Sequence, residues 1–407
     1  MTSLANERLH ALDAVRGGAL LLGVVLHATM SFFPGPIPIW MVTDSNPSPV
    51  LSATFFVIHI FRMTLFFMIA GFFARMSFHR KGARGFIVDR AKRIGIPLVV
   101  GWPIVFAAIV AATIWAVVRA YGAEAAAAQP PAPMTLATFP LTHLWFLYVL
   151  ALFYAGFLVL RGAIRFVDRR DRLGAAADVV MRFAVQSPLA ALALAAPVAV
   201  ALLAAPVWMA WFGIPTPDRG FLPNTPALVT FGAGFGFGWL LHRQIDLLVI
   251  WRRWWPLNLG VAIGLTAACL WIGGVRPFVA GEPEGPMRIA FAGAYALAIW
   301  TWSFGLIGIA LQFLSGHGSG RRYLADASYW IYIVHLPLLI VLQSLSAPID
   351  LPWFLKFPGI LAVAMAIMLI TYHLFVRFSF IGAVLNGRRF PKAKPPRDGA
   401  PSPASAA

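Results

Sequence analysis

The first apolar segment of the chain carries an acid, a base and a histidine, which are residue types that proton transfer and anion binding use. Asp13, Arg16 and His27 stand in a stretch that is otherwise apolar. At about 100° per residue, all three fall within a narrow sector of one helix face. A rise of roughly 16 Å separates Arg16 from His27, so they are not a contact pair. We expect Arg16 near one membrane surface and His27 deep, along a path for an extended, anionic substrate.

These residues also have a purely structural interpretation. Ionisable groups inside a membrane span are costly and are usually functional. Arg16 nevertheless also suits a charge anchor at the cytoplasmic surface, and His27 also suits a hydrogen-bonded packing residue.

In the second apolar segment, His59 and Arg62 lie one helical turn apart and share a face. Arg62 is near mid-span, so it needs either a cavity or a carbonyl or acid on a neighbouring helix.

Three later groups add polar residues to other apolar segments. Arg90 and Arg93 share a helix face and suit bidentate phosphate binding, although a basic stop against anionic lipid has the same pattern. Trp145 lies at the start of the fourth segment, where an interfacial aromatic belt is the alternative. Tyr332 and His335 lie one turn apart, just before a proline. They fit either the wall of a polar cavity or a hydrogen-bonded pair in the core.

The elements that must position these residues are membrane-spanning helices. The chain has 407 residues, of which 60% are hydrophobic and 12% charged, and its mean hydropathy is +0.79. Many apolar runs reach the roughly 20 residues that span a bilayer, whereas a β-barrel would show short alternating segments. We therefore predict an all-α, polytopic integral membrane protein with about ten spans. They cover about 13–33, 51–74, 95–118, 143–160, 186–212, 226–242, 257–274, 288–314, 327–346 and 354–378.

Membrane topology, rather than nucleic-acid binding, explains the net charge of +17. With ten spans and both termini cytoplasmic, all but six of the 32 lysines and arginines fall on the cytoplasmic side. The six exceptions are Arg62, Arg119, Arg219, Arg276, Arg288 and Lys356. We expect one transmembrane domain over residues 1–382 and a disordered cytoplasmic tail over 383–407. The first segment ends without an A-x-A-like site, so we expect no cleaved signal peptide.

The sequence contains no pattern for a metal site or for the nucleophile of a soluble hydrolase. Cys269 is the single cysteine and lies in an apolar run, which excludes a disulfide framework and a thiolate metal site. We find no nucleophile elbow, no HExxH and no glycine-rich phosphate loop. We therefore expect no metal and no tightly bound cofactor.

In chain order, the polar motifs resemble the membrane-bound acyltransferase-3 family, and its glucan-modifying, succinyltransferase-like branch in particular. The resemblance covers about residues 8–378. Its motifs are Asp13-x-x-Arg16-Gly with His27, Phe66-Phe-Met-Ile-Ala-Gly71, Arg90-x-x-Arg93, His143-Leu-Trp-Phe-Leu147 and Ser328-Tyr-Trp-Ile-Tyr-Ile-Val-His335. Family members move an acyl group from cytoplasmic acyl-coenzyme A (acyl-CoA) to a hydroxyl of a carbohydrate or lipid outside the membrane. The resemblance implies a bacterial inner-membrane protein with acyl-CoA as co-substrate and an extracytoplasmic carbohydrate as acceptor.

The resemblance also assigns roles to residues. Arg16 and His27 take the essential positions of the first motif, and Arg90 and Arg93 take those of the arginine pair linked to the donor. Asp13 joins the first two as a catalytic candidate. A neutral His27 suits a general base that removes the proton of the acceptor hydroxyl. A covalent acyl-histidine intermediate is the open alternative.

Five further residues are supporting candidates in the same reaction. Arg62, His59 or His335 would stabilise the oxyanion or orient the base. Trp145 and Tyr332 would complete the wall of the cavity. Neither the acyl group, acetyl or succinyl for example, nor the particular acceptor follows from the sequence.

The main rival function is a transporter or flippase for an anionic solute, which would use the same buried cations. Carriers coupled to protons usually have acids inside the membrane, and inverted repeats are common among them. Here Asp13 and Asp326 lie near membrane ends, no acid lies at mid-span, and no internal repeat is clear. A scaffold for an export complex is a third class, and it predicts no role for His27.

Overall fold

The computed structural model describes residues 2–35, 40–128, 133–187, 189–277, 281–316 and 318–387. In this part of the chain it contains thirteen α-helices and no β-strand. They are α1 (Thr2–Thr29), α2 (Pro49–Arg90), α3 (Ile96–Tyr121), α4 (Ala123–Ala127), α5 (Trp145–Val167), α6 (Arg172–Gln186), α7 (Leu189–Leu203), α8 (Thr225–Leu241), α9 (Leu248–Gly273), α10 (Gly285–Phe313), α11 (Ser319–Ser346), α12 (Trp353–Thr371) and α13 (Phe380–Asn386).

Seven helical runs within the described residues are long and apolar enough to cross a membrane. They are Leu9–Phe32, Pro49–Tyr121, Thr142–Val167, Ile245–Gly273, Gly285–Phe313, Ser319–Ser346 and Trp353–Val376. The prediction of an all-α, polytopic membrane protein is confirmed. The number is below ten because Pro49–Tyr121 joins two predicted spans, α8 is short, and α6 and α7 form a bent pair.

The junction between α2 and α3 contains two irregularities. Gly82 interrupts α2 with φ 68°, a left-handed backbone that a side chain disfavours. Farther on, Ala91–Gly95 forms one turn of π-helix. A π-turn rotates the residues that follow it relative to the helix before it, and such turns often lie at functional sites. This junction carries both members of the predicted arginine pair.

Two predicted boundaries differ from the structure. The span predicted over 186–212 is helical only to Leu203, because Pro206 lacks an N–H and disfavours helix in the residue before it. The chain then folds back, and the Trp208 indole donates to the Gly213 carbonyl. The tail predicted from 383 begins too early, because α13 continues to Asn386 and buries Leu385. The rest of the predicted tail, 388–407, lies outside the described residues.

The centre of the bundle is formed by α1, which contacts α2, α10, α11 and α12. Helices α2 and α8 approach most closely where glycines remove the side chains between them. A Cβ at Gly71 would overlap the Phe235 carbonyl, and a Cβ at Gly238 would overlap the Met68 carbonyl. Gly234 and Gly238 have the small-xxx-small spacing typical of close helix pairs in membranes. This contact fixes α2, which carries part of the candidate site.

Candidate active site

Three histidines from distant parts of the chain meet in the middle of the bundle. The ring centroids of His27 and His335 lie 5.3 Å apart, and those of His335 and His143 lie 5.1 Å apart. With Arg62 they enclose a cavity of about 30 Å³, which we call the histidine cavity. Its lining is Ala19, Leu20, His27, Arg62, Met63, Phe66, His143, Trp145, Phe146, Tyr332 and His335. The space is enough for one or two water molecules.

A proline in α11 explains how His143 is held. Pro337 has no N–H, so the carbonyl of Ile333, four residues earlier, lacks its helical donor. The His143 Nε2 lies 3.1 Å from that carbonyl oxygen. Since a carbonyl only accepts, Nε2 carries the proton, and Nδ1 of the neutral ring keeps its lone pair. The Tyr332 hydroxyl donates to the carbonyl of His143 at 2.5 Å, which anchors the same segment.

The tautomer of His335 follows from its backbone contact. Its Nδ1 lies 2.6 Å from the carbonyl oxygen of Tyr332, so Nδ1 is the donor. Nε2 of the neutral ring is then a lone-pair acceptor, and it is buried without a hydrogen-bond partner among the described residues. An unsatisfied buried acceptor is costly and is rare in native proteins. A substrate hydroxyl or a water in the cavity would satisfy it.

His27 is fixed by two residues that the sequence analysis did not include. Its ring stacks on Trp40 with centroids 5.9 Å apart. The Trp40 indole donates to the side-chain oxygen of Gln343, whose amide nitrogen donates to the carbonyls of His27 and Ala28 at 3.1 Å each. These carbonyls lie in the last turn of α1, where helical donors run out. Gln343 thus fixes the end of α1, and Trp40 covers the imidazole.

Arg62 enters the cavity through a notch in α1. A Cβ at Gly23 would overlap Nη1 of Arg62. The Nε of Arg62 is buried without a hydrogen-bond partner among the described residues. His59, which shares a helix face with Arg62 and was also predicted as a cavity residue, is not in the lining. Its ring stacks on Phe55 with centroids 5.3 Å apart. Arg62 therefore reaches the cavity without the neighbour that the sequence suggested.

At one end of the bundle, a wide vestibule of about 520 Å³ is lined by seven cationic side chains. The seven are Arg16, Arg80, Lys81, Arg90, Arg93, Arg321 and Arg322. We call the end of the bundle that carries them the basic end. Asp13 and Asp326 are the acids in the lining of the vestibule. Asp13 pairs with Arg16 at 2.9 Å, one helical turn away. The surplus of positive charge suits a ligand with several phosphates.

Both predicted donor arginines line the vestibule and a narrower space behind it, the neck, of about 100 Å³. Nη1 of Arg90 lies 3.4 Å from the Tyr154 hydroxyl, and Nε of Arg93 donates to the Leu385 carbonyl at 3.3 Å. The Tyr329 hydroxyl donates to the Arg93 carbonyl at 2.6 Å. These contacts hold both side chains where the vestibule narrows.

The vestibule, neck and histidine cavity adjoin one another in that order, and we call this series of spaces the file. The vestibule and neck share Arg16, Phe73, Arg90, Arg93, Ala325 and Asn386 in their linings. The neck and histidine cavity share Leu20, Phe66, Phe146 and Tyr332. Arg16 lies near the wide end of this file and His27 at its narrow end. The positive charge is therefore concentrated at the wide end of the file, and the imidazoles lie at the narrow end.

Sequence reasoning named five of the eleven residues in the lining of the histidine cavity as site candidates, and it missed the other six. Trp145, predicted as either a cavity or a belt residue, lines the cavity and is 6% exposed. His143 was recognised only as part of a motif. Pro337 signals that the carbonyl of Ile333 needs another donor, but it does not identify His143 as that donor. Trp40 lies in a loop without any pattern. In the described part of the chain, no group of three or more His, Cys, Asp or Glu side chains has an arrangement that could hold a metal ion.

Comparison with known proteins identifies related sequences. The profile of a protein family described as "Acyltransferase domain" matches residues 9–373. Similar curated proteins include glucans biosynthesis protein C from Escherichia coli (strain SMS-3-5 / SECEC) and from Salmonella heidelberg (strain SL476), each 33% identical over 104 residues. The match covers 26% of this chain and 26% of each relative, so the chain spans about a quarter of the length of these relatives. No solved structure matches.

Proposed function

The chain belongs to the acyltransferase-3 family, whose profile matches residues 9–373, and on this premise we propose that it is a membrane-bound O-acyltransferase. It takes an acyl group from cytoplasmic acyl-CoA and transfers it to a hydroxyl of an extracytoplasmic carbohydrate. One observation carries the proposal: the vestibule with its seven cationic side chains leads through the neck to the cavity where three histidines cluster. The positive-inside rule supports assigning the basic end to the cytoplasm.

The shape of the file matches the shape of the donor. The phosphates of acyl-CoA bind the vestibule cations, with Arg90 and Arg93 at the entrance of the neck. The uncharged arm, which is long and thin, follows the neck between aromatic side chains such as Phe73 and Phe146. The thioester then reaches the histidine cavity. Binding energy from the remote phosphates thus positions the reacting carbonyl.

At the cavity, His27 acts as the general base. Its neutral imidazole takes the proton of the acceptor hydroxyl while the hydroxyl oxygen attacks the thioester carbonyl. Arg62 stabilises the negative charge that develops on the carbonyl oxygen. The intermediate collapses as the carbon–sulfur bond breaks, His27 returns the proton to the departing thiolate, and the products are an ester and free coenzyme A.

The acceptor approaches from the opposite end. Helices α3 and α11 both begin at the basic end and finish beside a cavity of about 530 Å³, whose lining includes Tyr121 and Ser344. A buried ion pair, Lys356 Nζ to Asp44 Oδ1 at 2.9 Å, fixes the loop on its other side. Trp40, which stacks on His27, and Gln343, which binds its backbone carbonyl, stand next in sequence to residues of this lining. A glucan is the acceptor class that the names of the similar proteins favour.

Acyl transfer by purified protein tests this proposal. The full chain in nanodiscs is given radiolabelled acetyl- or succinyl-CoA and a glucan oligosaccharide, and ester formation is measured. We expect His27→Ala to lower kcat by about 10²–10⁴-fold. His373→Ala is the matched control, because His373 lies away from the file and contacts Tyr323. Undiminished ester formation in His27→Ala would remove His27 from catalysis, and solute uptake without acyl product would indicate a transporter.

A further inference from the structure

A second large cavity, of about 810 Å³, lies beside the basic end, and among the described residues it shares no lining residue with the vestibule. It is formed by the final turns of α5, the start of α6, α8 and one face of α2. We propose that this cavity binds an anionic phospholipid, with its phosphate among the arginines and its acyl chains along the apolar wall. The site is independent of the acyl-transfer reaction proposed above.

The lining has a strong surplus of positive charge. Five arginines face two aspartates, Asp168 and Asp171. The arginines are Arg75, Arg161, Arg165, Arg169 and Arg243. Both aspartates already have partners, since Asp168 accepts from the N–H of Leu173 at the start of α6 and Asp171 lies 3.3 Å from Arg243. The remaining cations are therefore left for a ligand.

Arg75 is the member that most clearly lacks a partner. It is 9% exposed, and its guanidinium forms no hydrogen bond or ion pair with the described residues. Its contact is with the face of Trp239, 5.9 Å from the ring centroid. The carboxylates of Asp178 and Asp171 act on its charge only from a distance, because both are paired with Arg243. A guanidinium this little exposed gains from a directly bound anion. By contrast, Arg243 in the same wall is held by Asp178 at 2.5 Å. An anion bound in the cavity would give Arg75 a direct ion-pair partner, as Asp178 does for Arg243.

The other side of the cavity is apolar, which distinguishes an amphiphile from a free anion. Phe157, Leu160 and Ile164 of α5 line it, and the last two are 51% and 38% exposed. Helix α6 also turns apolar side chains outward, among them Val179 and Phe183, at 70% and 65% exposed. An amphipathic helix with this pattern lies in the membrane interface. The arginines thus stand at headgroup depth with an apolar wall beside them, as basic pockets for anionic lipids do.

Native mass spectrometry of the full chain in detergent tests the proposal. Phosphatidylglycerol and phosphatidylcholine of equal chain length are titrated separately, and glycerol 3-phosphate supplies the headgroup without chains. We expect one phosphatidylglycerol to be retained, phosphatidylcholine to bind at least tenfold more weakly, and glycerol 3-phosphate not to displace the lipid. Equal retention of the two lipids, or displacement by the free headgroup, contradicts the proposal.

Two variants locate the bound lipid. Arg161→Gln/Arg165→Gln should weaken phosphatidylglycerol binding about tenfold to thirtyfold, at about 1 kcal/mol for each charge lost. These side chains are partly exposed, so folding should survive. Arg252→Gln/Arg253→Gln removes the same charge from α9 outside the cavity and should leave binding unchanged. Equal binding in the first variant and wild type, or displacement of the lipid by acyl-CoA, overturns the assignment.

Discussion

The vestibule and the histidine cavity are two ends of one file, but they are built differently. The vestibule has a volume of about 520 Å³ and is lined by seven cationic side chains. The histidine cavity has a volume of about 30 Å³, and its one guanidinium lies among imidazoles and aromatic rings. Charges in a wide, hydrated space are screened by water and salt. The same charge in a tight, dry space interacts much more strongly. The vestibule is therefore suited to binding, and the cavity to catalysis.

The two regions share one structural device. In α11, Pro337 deprives the Ile333 carbonyl of its helical donor, and His143 supplies one instead. At the π-turn, Pro97 supplies no N–H four residues after Arg93, and the Tyr329 hydroxyl donates to the Arg93 carbonyl. In both places a proline frees a backbone acceptor, which then ties the helix to a side chain from another part of the chain. Backbone atoms thus position the site at both ends.

After the loss of His27, removing the cation of the histidine cavity should have the largest effect. We expect Arg62→Met to lower kcat about 10²–10³-fold, as the loss of an oxyanion donor does, and to leave the KM for acyl-CoA nearly unchanged. Steady-state kinetics of acyl transfer checks this. Arg253→Met, on α9 outside the file, is the control. A change in KM alone would mean that Arg62 binds the donor and that the comparison with the vestibule fails.

Filling the notch in α1 should have the next largest effect. Gly23→Ala places a Cβ where Nη1 of Arg62 lies, so the guanidinium must shift. We expect kcat to fall about tenfold to hundredfold, because catalytic groups tolerate little misplacement. Gly18→Ala on the same helix meets no atom within 4 Å and should leave kcat unchanged. Equal kinetics in the two variants would show that the position of Arg62 does not limit the rate.

Replacing an arginine of the vestibule should change the KM for acyl-CoA rather than kcat. We expect Arg90→Gln to raise the KM for acyl-CoA about tenfold with little change in kcat, because one charge-assisted hydrogen bond to a phosphate is lost. The difference from wild type should shrink as salt is added. Arg84→Gln, exposed on the same segment and outside the vestibule, is the control. A large fall in kcat would contradict the division of roles between the two regions.

The periodicity of the sequence was sufficient to predict the polar faces of single helices. Arg16 and His27 lie along one file, as their shared face on α1 predicts, and Tyr332 and His335 line one cavity. The all-α fold class and most of the membrane spans were also predictable, because a bilayer requires each span to be long and apolar. The same face argument placed His59 with Arg62, but the local stacking of His59 on Phe55 decides its position instead.

The contacts between helices could not be predicted from periodicity. Trp40 and Gln343 are 303 residues apart in the chain, and their pairing depends on how α1 and α11 pack. The role of Gly23 depends on where Arg62 points, which the two local sequences do not specify. A polar side chain in an apolar run, such as Gln343, and a proline within a span are signals that a partner exists. They do not identify the partner.

The smallest expected effect comes from the hydroxyl that ties the π-turn to α11. Tyr329→Phe removes one hydrogen bond, to the Arg93 carbonyl, worth about 1 kcal/mol. Because that carbonyl belongs to the residue whose guanidinium lines the neck, the loss should loosen Arg93 and raise the KM for acyl-CoA about threefold to fivefold. Tyr323→Phe, on the same helix but outside the file, should not change KM. If Tyr329→Phe instead lowers kcat alone, the π-turn serves the histidine cavity rather than the vestibule, and binding and catalysis are coupled through α11.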